Sequence, residues 1–327
     1  MIISRTPLRI SFMGGGSDLS AYYQHEPGFV LTTAIDKYIY ITVNGRFDHG
    51  IRASYSSTEI VERLGELKHE LIRESMRLTG VTDKIELTSI SDVPSSGTGM
   101  GSSSSYTVGL LNALHAFSGF QASAATLAQE ACAIEIDICR KPIGKQDQYV
   151  AAYGGIQCVR FNPDGTVFVD PVICRPETKL ELERRLLLLY TGLTRSANPI
   201  LAQQRDNTAH SAGTRATLRA MTTLAETMRA SLCANDIDGF GEMLHEGWHL
   251  KKTLAPGITS PSIDDWYERA RTRGAVGGKL LGAGGGGFLL VYAKPEHHAA
   301  IIAGLPELLA VPFRFEPQGS KIIYVGN

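Results

Sequence analysis

Residues 92–106 read DVPSSGTGMGSSSSY, a glycine- and serine-rich segment that follows a predicted strand. Glycines alternate with other residues at positions 97, 99 and 101, and four serines then open a segment of helical periodicity at 102–117. Glycines let successive backbone N–H groups point at one spot, and a helix start adds unpaired N–H groups and partial positive charge. The stretch therefore predicts a phosphate-binding loop, with a serine-capped helix after a flexible loop as the alternative. No Lys-Ser/Thr pair follows the glycines, which excludes a Walker A loop.

Glycine is enriched in the whole chain, with 34 of 327 residues, and much of it is clustered. Besides the loop at 97–101, three glycines lie at 14–16 and eight lie between Gly274 and Gly287. The segment 282–287 matches G-x-G-x-x-G by letter, but a dinucleotide fingerprint needs a helix after the glycines. Here a strand-like segment, Phe288–Ala293, follows. The clusters are typical of backbone that turns sharply or approaches a ligand.

Composition excludes several classes of protein. Lys+Arg is 32 and Asp+Glu is 33, a balance that predicts no nucleic-acid and no anionic-membrane partner. The five cysteines are odd in number and form no C-x-x-C pair, which favours reduced thiols in the cytoplasm. The longest apolar runs are far shorter than the roughly 18 residues that span a bilayer. We expect a cytoplasmic protein, monomeric or homodimeric.

Periodicity predicts a mixed α and β chain in two domains, residues 1–178 and 179–327. There is no internal repeat and no low-complexity linker. Strands are predicted at 2–12, 29–45, 85–90, 156–161, 167–169, 186–192, 288–293 and 321–325. Helices are predicted at 59–79, 102–117, 122–138, 198–209, 212–233, 236–254, 262–273 and 297–305.

Three segments taken together resemble the three motifs of the GHMP kinases. They are RTPLRISFMGGGSDL at 5–19, PSSGTGMGSSSSY at 94–106 and GGKLLGAGGGGFLLV at 277–291. The resemblance implies an α+β fold of two domains, the first like domain 2 of ribosomal protein S5 and the second ferredoxin-like, with the site in the cleft between them. It also implies ATP- and Mg²⁺-dependent phosphorylation of a small-molecule hydroxyl group.

The resemblance assigns residues to the nucleotide and the metal. Ser103 matches the serine that ligates Mg²⁺ in the family, and Glu135 matches a helix glutamate that completes the site. A carboxylate, a hydroxyl and phosphate oxygens are ligands that Mg²⁺ favours. The residues implied to bind ATP are Pro94, Ser95, Ser96, Gly97, Gly99, Gly101, Ser102, Ser103 and Ser104.

The resemblance also assigns the catalytic and sugar-binding residues. Asp147 matches the aspartate beside the acceptor hydroxyl, and Arg9 matches a basic residue that would hold Asp147 ionised and offset charge on the transferring phosphoryl group. Without the motifs, Asp147 would be interpreted as a solvated loop carboxylate, and Asp18 could simply cap a turn. The residues implied to face the sugar are Gly15, Gly16, Ser17, Asp18, Gly284 and Gly285.

The substrate implied is a phosphorylated sugar. Gly15 and Gly16 stand where galactokinase has Glu and His, which argues against galactose. The chain looks more like the branch that phosphorylates the anomeric O1 of D-glycero-D-manno-heptose 7-phosphate for lipopolysaccharide or capsule synthesis. A second anion site is then needed, and Lys145, Arg195 and Lys279 are its candidates, with ordinary surface charge as the alternative. Fucokinase-like enzymes, which take an unphosphorylated sugar, are the alternative within the family.

Two further hypotheses come from other classes of protein. His245-Glu246-Gly247-Trp248-His249 is a literal H-E-x-x-H that could bind zinc in a metalloprotease, with Glu268 as a third ligand. Against it, an apolar stripe on the same predicted helix, Ile237, Phe240, Leu244 and Trp248, indicates a packing role. The chain could also be a sugar sensor built on an inactive kinase, but all four matched site residues are present.

Overall fold

The computed structural model of the chain describes residues 1–94, 97–194 and 197–326. In this part, one sheet has eight strands and a second has four. The strands are β1 (Ile2–Met13), β2 (Gly28–Gly45), β3 (Ile51–Ser54), β4 (Thr58–Val61), β5 (Ile85–Ser91), β6 (Ile156–Phe161), β7 (Val167–Pro171), β8 (Leu186–Tyr190), β9 (Ala275–Leu280), β10 (Phe288–Ala293), β11 (Leu309–Ala310) and β12 (Lys321–Val325).

The helices lie against these sheets and supply much of the site. A 3₁₀ turn covers Leu64–Glu66, and a π-helical turn covers Ala133–Ile138. The α-helices are α1 (Ser20–Tyr23), α2 (Glu70–Thr79), α3 (Ser102–Phe117), α4 (Ala124–Cys132), α5 (Gln146–Tyr153), α6 (Pro176–Arg184), α7 (Asn198–His210), α8 (Ala212–Cys233), α9 (Phe240–Lys252), α10 (Pro261–Arg271) and α11 (Pro295–Ala303).

The larger sheet is organised around the long strand β2. Its order is β12-β1-β2-β5-β3-β4, and β6 also pairs with β2 and carries β7 at its other edge. Strand β2 is rich in β-branched and aromatic residues, which fit a pleated, half-buried surface. Its first half pairs with β6 and its second half with β5, so one strand joins both arms of the sheet.

The smaller sheet is antiparallel, in the order β11-β8-β10-β9. Its central strand, β10, is buried along its whole length. Helix α9 packs onto this sheet with Phe240, Leu244 and Trp248, each of which is fully buried. The apolar stripe predicted on this helix therefore belongs to the core.

The last strand returns to the first sheet. Strand β12 pairs antiparallel with β1, with Ile2 opposite Val325 and Arg5 opposite Lys321. Residues 321–325 thus complete the sheet of the N-terminal half, which a single boundary does not capture. Residue 178, the predicted boundary, falls inside α6. The division into 1–178 and 179–327 remains a prediction.

The predicted helix at 59–79 is wrong in its first half, because the α-helix covers only Glu70–Thr79. Residues 58–61 form β4, because they pair with β3 across a short antiparallel ladder. The helix begins only after His69, whose ring accepts a hydrogen bond from the N–H of Ile72. Ile60, which fits the helical periodicity, is 68% exposed on this edge strand. Strand pairing here overrides the local pattern.

Candidate active site

The glycine-rich loop before α3 has a backbone that glycine adopts most easily. Gly97, Gly99 and Gly101 have φ angles of +69°, +73° and +74°. Helix α3 begins at the next residue, Ser102. The predicted order of glycine loop and then helix is confirmed, and the free N–H groups of the first helical turn lie where the loop ends.

The serines around this loop differ in their exposure. Ser103 is exposed at the helix start, whereas Ser102 and Ser104 are 8% and 2% exposed. All three line one cleft of about 550 Å³. Pro94 is exposed and is not among the residues that line this cleft. Ser95 and Ser96 lie outside the described residues.

A second glycine-rich loop, between β9 and β10, packs directly on the first. A Cβ on Gly282 would lie 2.3 Å from the Cα of Gly99, and a Cβ on Gly287 would lie 2.3 Å from the carbonyl oxygen of Thr98. The two backbones touch, which requires glycine at the contact. The G-x-G-x-x-G segment joins β9 to β10, as the rejection of a dinucleotide fingerprint predicted, and it packs on the predicted phosphate loop.

Arg9 and Asp147 form a bidentate ion pair in the cleft. Nε and Nη2 of Arg9 each donate to one carboxylate oxygen of Asp147, both at 2.6 Å. Nη1 of Arg9 donates to the carbonyl oxygen of Gly99 at 2.6 Å, which ties the pair to the phosphate loop. The side chain of Arg9 is 5% exposed and that of Asp147 is 21% exposed. Asp147 lies in the first turn of α5, where the helix dipole favours negative charge.

Ser103 and Glu135 contact each other at the start of α3. Oγ of Ser103 donates to Oε1 of Glu135 at 2.6 Å, and Nε2 of Gln148 donates to Oε2 at 2.7 Å. Lys141 Nζ lies 3.2 Å from the Ser103 hydroxyl and 3.9 Å from Glu135. Glu135 belongs to the π-helical turn after α4, a form of helix that is frequent at functional sites.

The Glu135 carboxylate is fully buried, and burial raises its pKa, although the Ser103 hydroxyl and Lys141 oppose the shift. A cation at this point would offset the cost of the buried charge. One carboxylate and one hydroxyl are hard oxygen donors of the kind Mg²⁺ prefers. The residues present therefore fit the predicted metal site.

Asp18 faces the same cleft from the first glycine cluster. Its carboxylate accepts hydrogen bonds from the backbone N–H of Gly16 at 2.9 Å and of Gln146 at 3.2 Å. Burial and the neighbouring charge of Asp147 raise its pKa. Gly15 and Gly16 also line the cleft. Asp18 thus caps local backbone, as the alternative interpretation held, and also faces the site.

Ser17 and Gly285 do not fit the prediction that they face the sugar. The Ser17 hydroxyl donates to the carbonyl oxygen of Gly14 and accepts from the N–H of Phe29, so it joins two pieces of backbone. The N–H of Gly285 donates to the carbonyl oxygen of Ile258. Neither residue lines the cleft, whereas Gly284 does.

A second cavity of about 730 Å³ adjoins the cleft, and both are lined by Ser102, Ser103 and Lys141. Three rings cluster in its wall. The ring of His69 lies 4.6 Å from that of Tyr55 and 5.4 Å from that of Tyr106. Sequence reasoning missed these residues, because they come from three separate segments and only the fold brings them together.

Comparison with known proteins decides the family. The models of the GHMP kinases N terminal domain and the GHMP kinases C terminal domain match residues 63–155 and 228–308. The chain is 30% identical to D-glycero-alpha-D-manno-heptose 7-phosphate kinase of Campylobacter jejuni, over 98% of both sequences. The chain belongs to the GHMP kinase family.

Two further kinases are similar to it. The bifunctional fucokinase/GDP-fucose pyrophosphorylase of Arabidopsis thaliana is 27% identical over 90% of this chain, which spans 30% of that protein. The crystal structure of a D-glycero-D-manno-heptose 1-phosphate kinase from Bacteroides thetaiotaomicron has a TM-score of 0.83, 23% identity and full coverage of both chains. The GHMP kinase fold is confirmed, and the chain is an ATP-dependent kinase that acts on a hydroxyl group.

Of the basic residues expected to hold a substrate phosphate, Lys279 lines the cleft and Lys145 does not. Nζ of Lys145 donates to the carbonyl oxygen of Gly165 at 3.2 Å, and Lys145 is not among the residues that line the cleft. Lys279 is buried and does line the cleft, whereas Arg195 lies outside the described residues. Lys251, which also lines the cleft, was missed because α9 is distant from all three motifs.

The zinc hypothesis finds no support in the GHMP kinase fold. Nδ1 of His245 lies 2.6 Å from the hydroxyl of Tyr267, and the two rings stack. In residues 1–94, 97–194 and 197–326, no group of three or more His, Cys, Asp or Glu side chains is arranged to hold a metal ion, so Glu268 completes no site with His249.

In the same ranges, no helix is long and apolar enough to cross a membrane.

Replacing Gly282 with alanine should destabilise the protein through the contact between the two glycine loops. Gly282 has a φ of +69°, which costs an alanine about 1–2 kcal/mol, and its Cβ would also meet Gly99. Gly119 is the matched control, since it has a φ of +77° with open space around its Cβ position. Urea unfolding should show a loss for Gly282→Ala that exceeds that for Gly119→Ala by about 1–2 kcal/mol. Equal losses would contradict the packing argument.

Proposed function

We propose that this kinase transfers the γ-phosphoryl group of ATP to the anomeric O1 of D-glycero-D-manno-heptose 7-phosphate. The observation that carries the proposal is the 30% identity to a kinase of that name over 98% of both sequences. Gly15 and Gly16 line the cleft together with Asp18 and stand where galactokinase has Glu and His, which favours a sugar other than galactose. The product, a heptose 1,7-bisphosphate, would lead to nucleotide-activated heptose for surface glycans.

The two adjoining cavities support a division of the substrates. The aromatic cavity of Tyr55, His69 and Tyr106 suits the nucleoside of ATP, since bases stack on such rings. Its phosphates would then follow the start of α3 into the cleft. Ser103 and Glu135 would hold Mg²⁺, which neutralises phosphate charge when it is bound.

Asp147 and Arg9 are the residues proposed to act at the acceptor hydroxyl. A carboxylate has about four lone-pair sites, and Arg9 occupies two, so Asp147 retains capacity for the O1 proton. In the proposed step O1 bonds to the γ-phosphorus, the bond from that phosphorus to the bridging oxygen breaks, and the electron pair leaves with ADP. Asp147 accepts the O1 proton or orients the hydroxyl, and Arg9 offsets charge on the phosphoryl group.

Transfer to an unphosphorylated sugar is the second candidate, favoured by the 27% identity to the fucokinase of Arabidopsis thaliana. ATP consumption should be measured with heptose 7-phosphate, the same heptose without phosphate, fucose, mannose, galactose and N-acetylhexosamines. We expect kcat/KM to be highest for heptose 7-phosphate, by about 100-fold over the dephosphorylated heptose, since a buried charged contact is lost. Proton-coupled ³¹P NMR of the product should show a new anomeric phosphate. Turnover confined to unphosphorylated sugars would refute the heptose-phosphate assignment and leave the kinase assignment intact.

A further inference from the structure

Two buried lysines line the same cleft. Lys251, from α9, is 7% exposed and donates to the carbonyl oxygens of Leu280 at 2.9 Å and Gly282 at 2.5 Å. Lys279, from β9, is 4% exposed and donates to the carbonyl oxygens of Ser11 at 2.8 Å and Phe12 at 2.9 Å. An ammonium group has three N–H donors, so each lysine keeps one for another partner.

Basic side chains outnumber carboxylates in the lining of the cleft. Among the described residues, four basic side chains and two carboxylates line it. Arg9 is paired with Asp147, and Lys141 lies beside Ser103 and Glu135. No described carboxylate lies within 4.0 Å of Lys251 or Lys279, which leaves both ammonium groups without an anionic partner. A buried charge without such a partner is costly.

This cost lowers the pKa of both groups. Burial, and then the charge of Arg9, lower the pKa of Lys279 to about 7. Burial, and then Lys279 and Arg9, hold the pKa of Lys251 well below its ordinary value. The charged group facing the pair from β1 is Arg9, which is itself paired with Asp147 of α5. An anion that binds beside the lysines would therefore draw a proton onto them.

We propose that Lys251 and Lys279 form a phosphate subsite that accepts a phosphate dianion in the cleft. Two groups could supply the dianion: the phosphate that the sugar already carries, or the transferring phosphoryl group of ATP. Gly282, whose carbonyl Lys251 holds, packs on Gly99 of the phosphate loop, so the subsite lies beside the proposed path of transfer. The sugar-phosphate source rests on the proposed function, whereas the ATP source requires only a kinase.

Proton uptake on binding tests the subsite. Calorimetric titrations at pH 8, in two buffers of different ionisation enthalpy, should be made with heptose 7-phosphate, with a non-hydrolysable ATP analogue and with unphosphorylated heptose. At pH 8 a phosphate ester is already a dianion, since its second pKa is about 6. We expect uptake of roughly half a proton or more with at least one phosphate ligand and none with the plain sugar. Uptake with the sugar phosphate identifies the substrate as the source, and uptake with the analogue identifies ATP.

Variants separate this role from a structural one. Lys251→Met and Lys279→Met should each reduce the uptake and weaken the binding of the same phosphate ligand by about tenfold or more, the scale of one charge-assisted hydrogen bond. Lys279→Arg should bind the ligand with less proton uptake than the wild type, because its guanidinium stays charged and only Lys251 can still gain a proton. Lys252→Met is the control, since Nζ of Lys252 pairs with Asp264 at 3.2 Å and Lys252 does not line the cleft. It should keep the uptake.

Two results would overturn the subsite: no proton uptake by the wild-type enzyme with any phosphate ligand, or uptake unchanged in both Met variants. These results are distinguishable from failure of the proposed function. An enzyme that phosphorylates heptose 7-phosphate without proton uptake overturns the subsite alone. An enzyme that takes up a proton with the ATP analogue but never uses the sugar phosphate retains the subsite and refutes the proposed substrate.

Discussion

Asp147→Asn is expected to lower kcat by about 100-fold or more, the scale of a lost general base. The asparagine keeps the shape of the side chain and one acceptor for the guanidinium of Arg9, but it removes the negative charge and most of the capacity to take a proton. ATP binding should be retained, since the phosphate loop and the aromatic cavity are unchanged. Steady-state kinetics at saturating substrates, with a separate measurement of ATP affinity, check both parts of the prediction.

Asp264→Asn is a matched control for this substitution. Asp264 also lies in the first turn of a helix, α10, and pairs with Lys252, but it does not line the cleft. Its kcat should be close to that of the wild type. Thermal unfolding of both variants shows whether a loss of stability accounts for the loss of activity. Near-wild-type turnover by a folded Asp147→Asn enzyme would remove Asp147 from the mechanism.

The parts of the fold that could be predicted from the sequence are those with strong local patterns. Strand β2 carries a long β-branched stretch, and α3 follows a glycine loop that limits where a helix can begin. The three motifs then supplied the family, and with it the expectation that Arg9 and Asp147 come together. The ion pair is 138 residues apart in sequence, so no local pattern could have predicted it.

The parts that could not be predicted depend on contacts distant in sequence. Strand β9 contains Gly277, which has little strand preference, yet a Cβ there would lie 1.9 Å from the carbonyl oxygen of Gly241. Close packing of α9 on the sheet explains that glycine, and it is visible only in three dimensions. The same holds for Lys251, whose partners are the carbonyls of residues 280 and 282, and for β12, whose short apolar pattern does not reveal which sheet it joins.

Glu135→Gln is expected to raise the Mg²⁺ concentration needed for half-maximal activity by about 10–100-fold, the range seen when residues that support a metal are replaced. Glutamine keeps a side-chain oxygen near Ser103 but removes the buried negative charge that would attract the cation. Activity measured against free Mg²⁺, with ATP held saturating, checks the prediction. Glu130→Gln is the control: Glu130 lies on α4, one turn before the π-helical segment, and pairs with His115 at 2.7 Å. It should leave the Mg²⁺ requirement unchanged.

When no metal is present, Glu135→Gln should leave the stability of the protein unchanged or raise it. The pKa of Glu135 is raised above its ordinary value of 4.5 by burial, so the folded wild type binds this proton more tightly than the unfolded chain does. The stability that this bound proton contributes is therefore lost as the pH rises from about 4.5 through the raised pKa. Glutamine has no proton to lose, so Glu135→Gln without Mg²⁺ should be at least as stable as the wild type at neutral pH, with a difference that grows across that window. Unfolding curves at pH 4 and pH 7 in chelator measure it, and an unchanged Mg²⁺ requirement together with lower stability would show that Glu135 acts in packing and not at the metal.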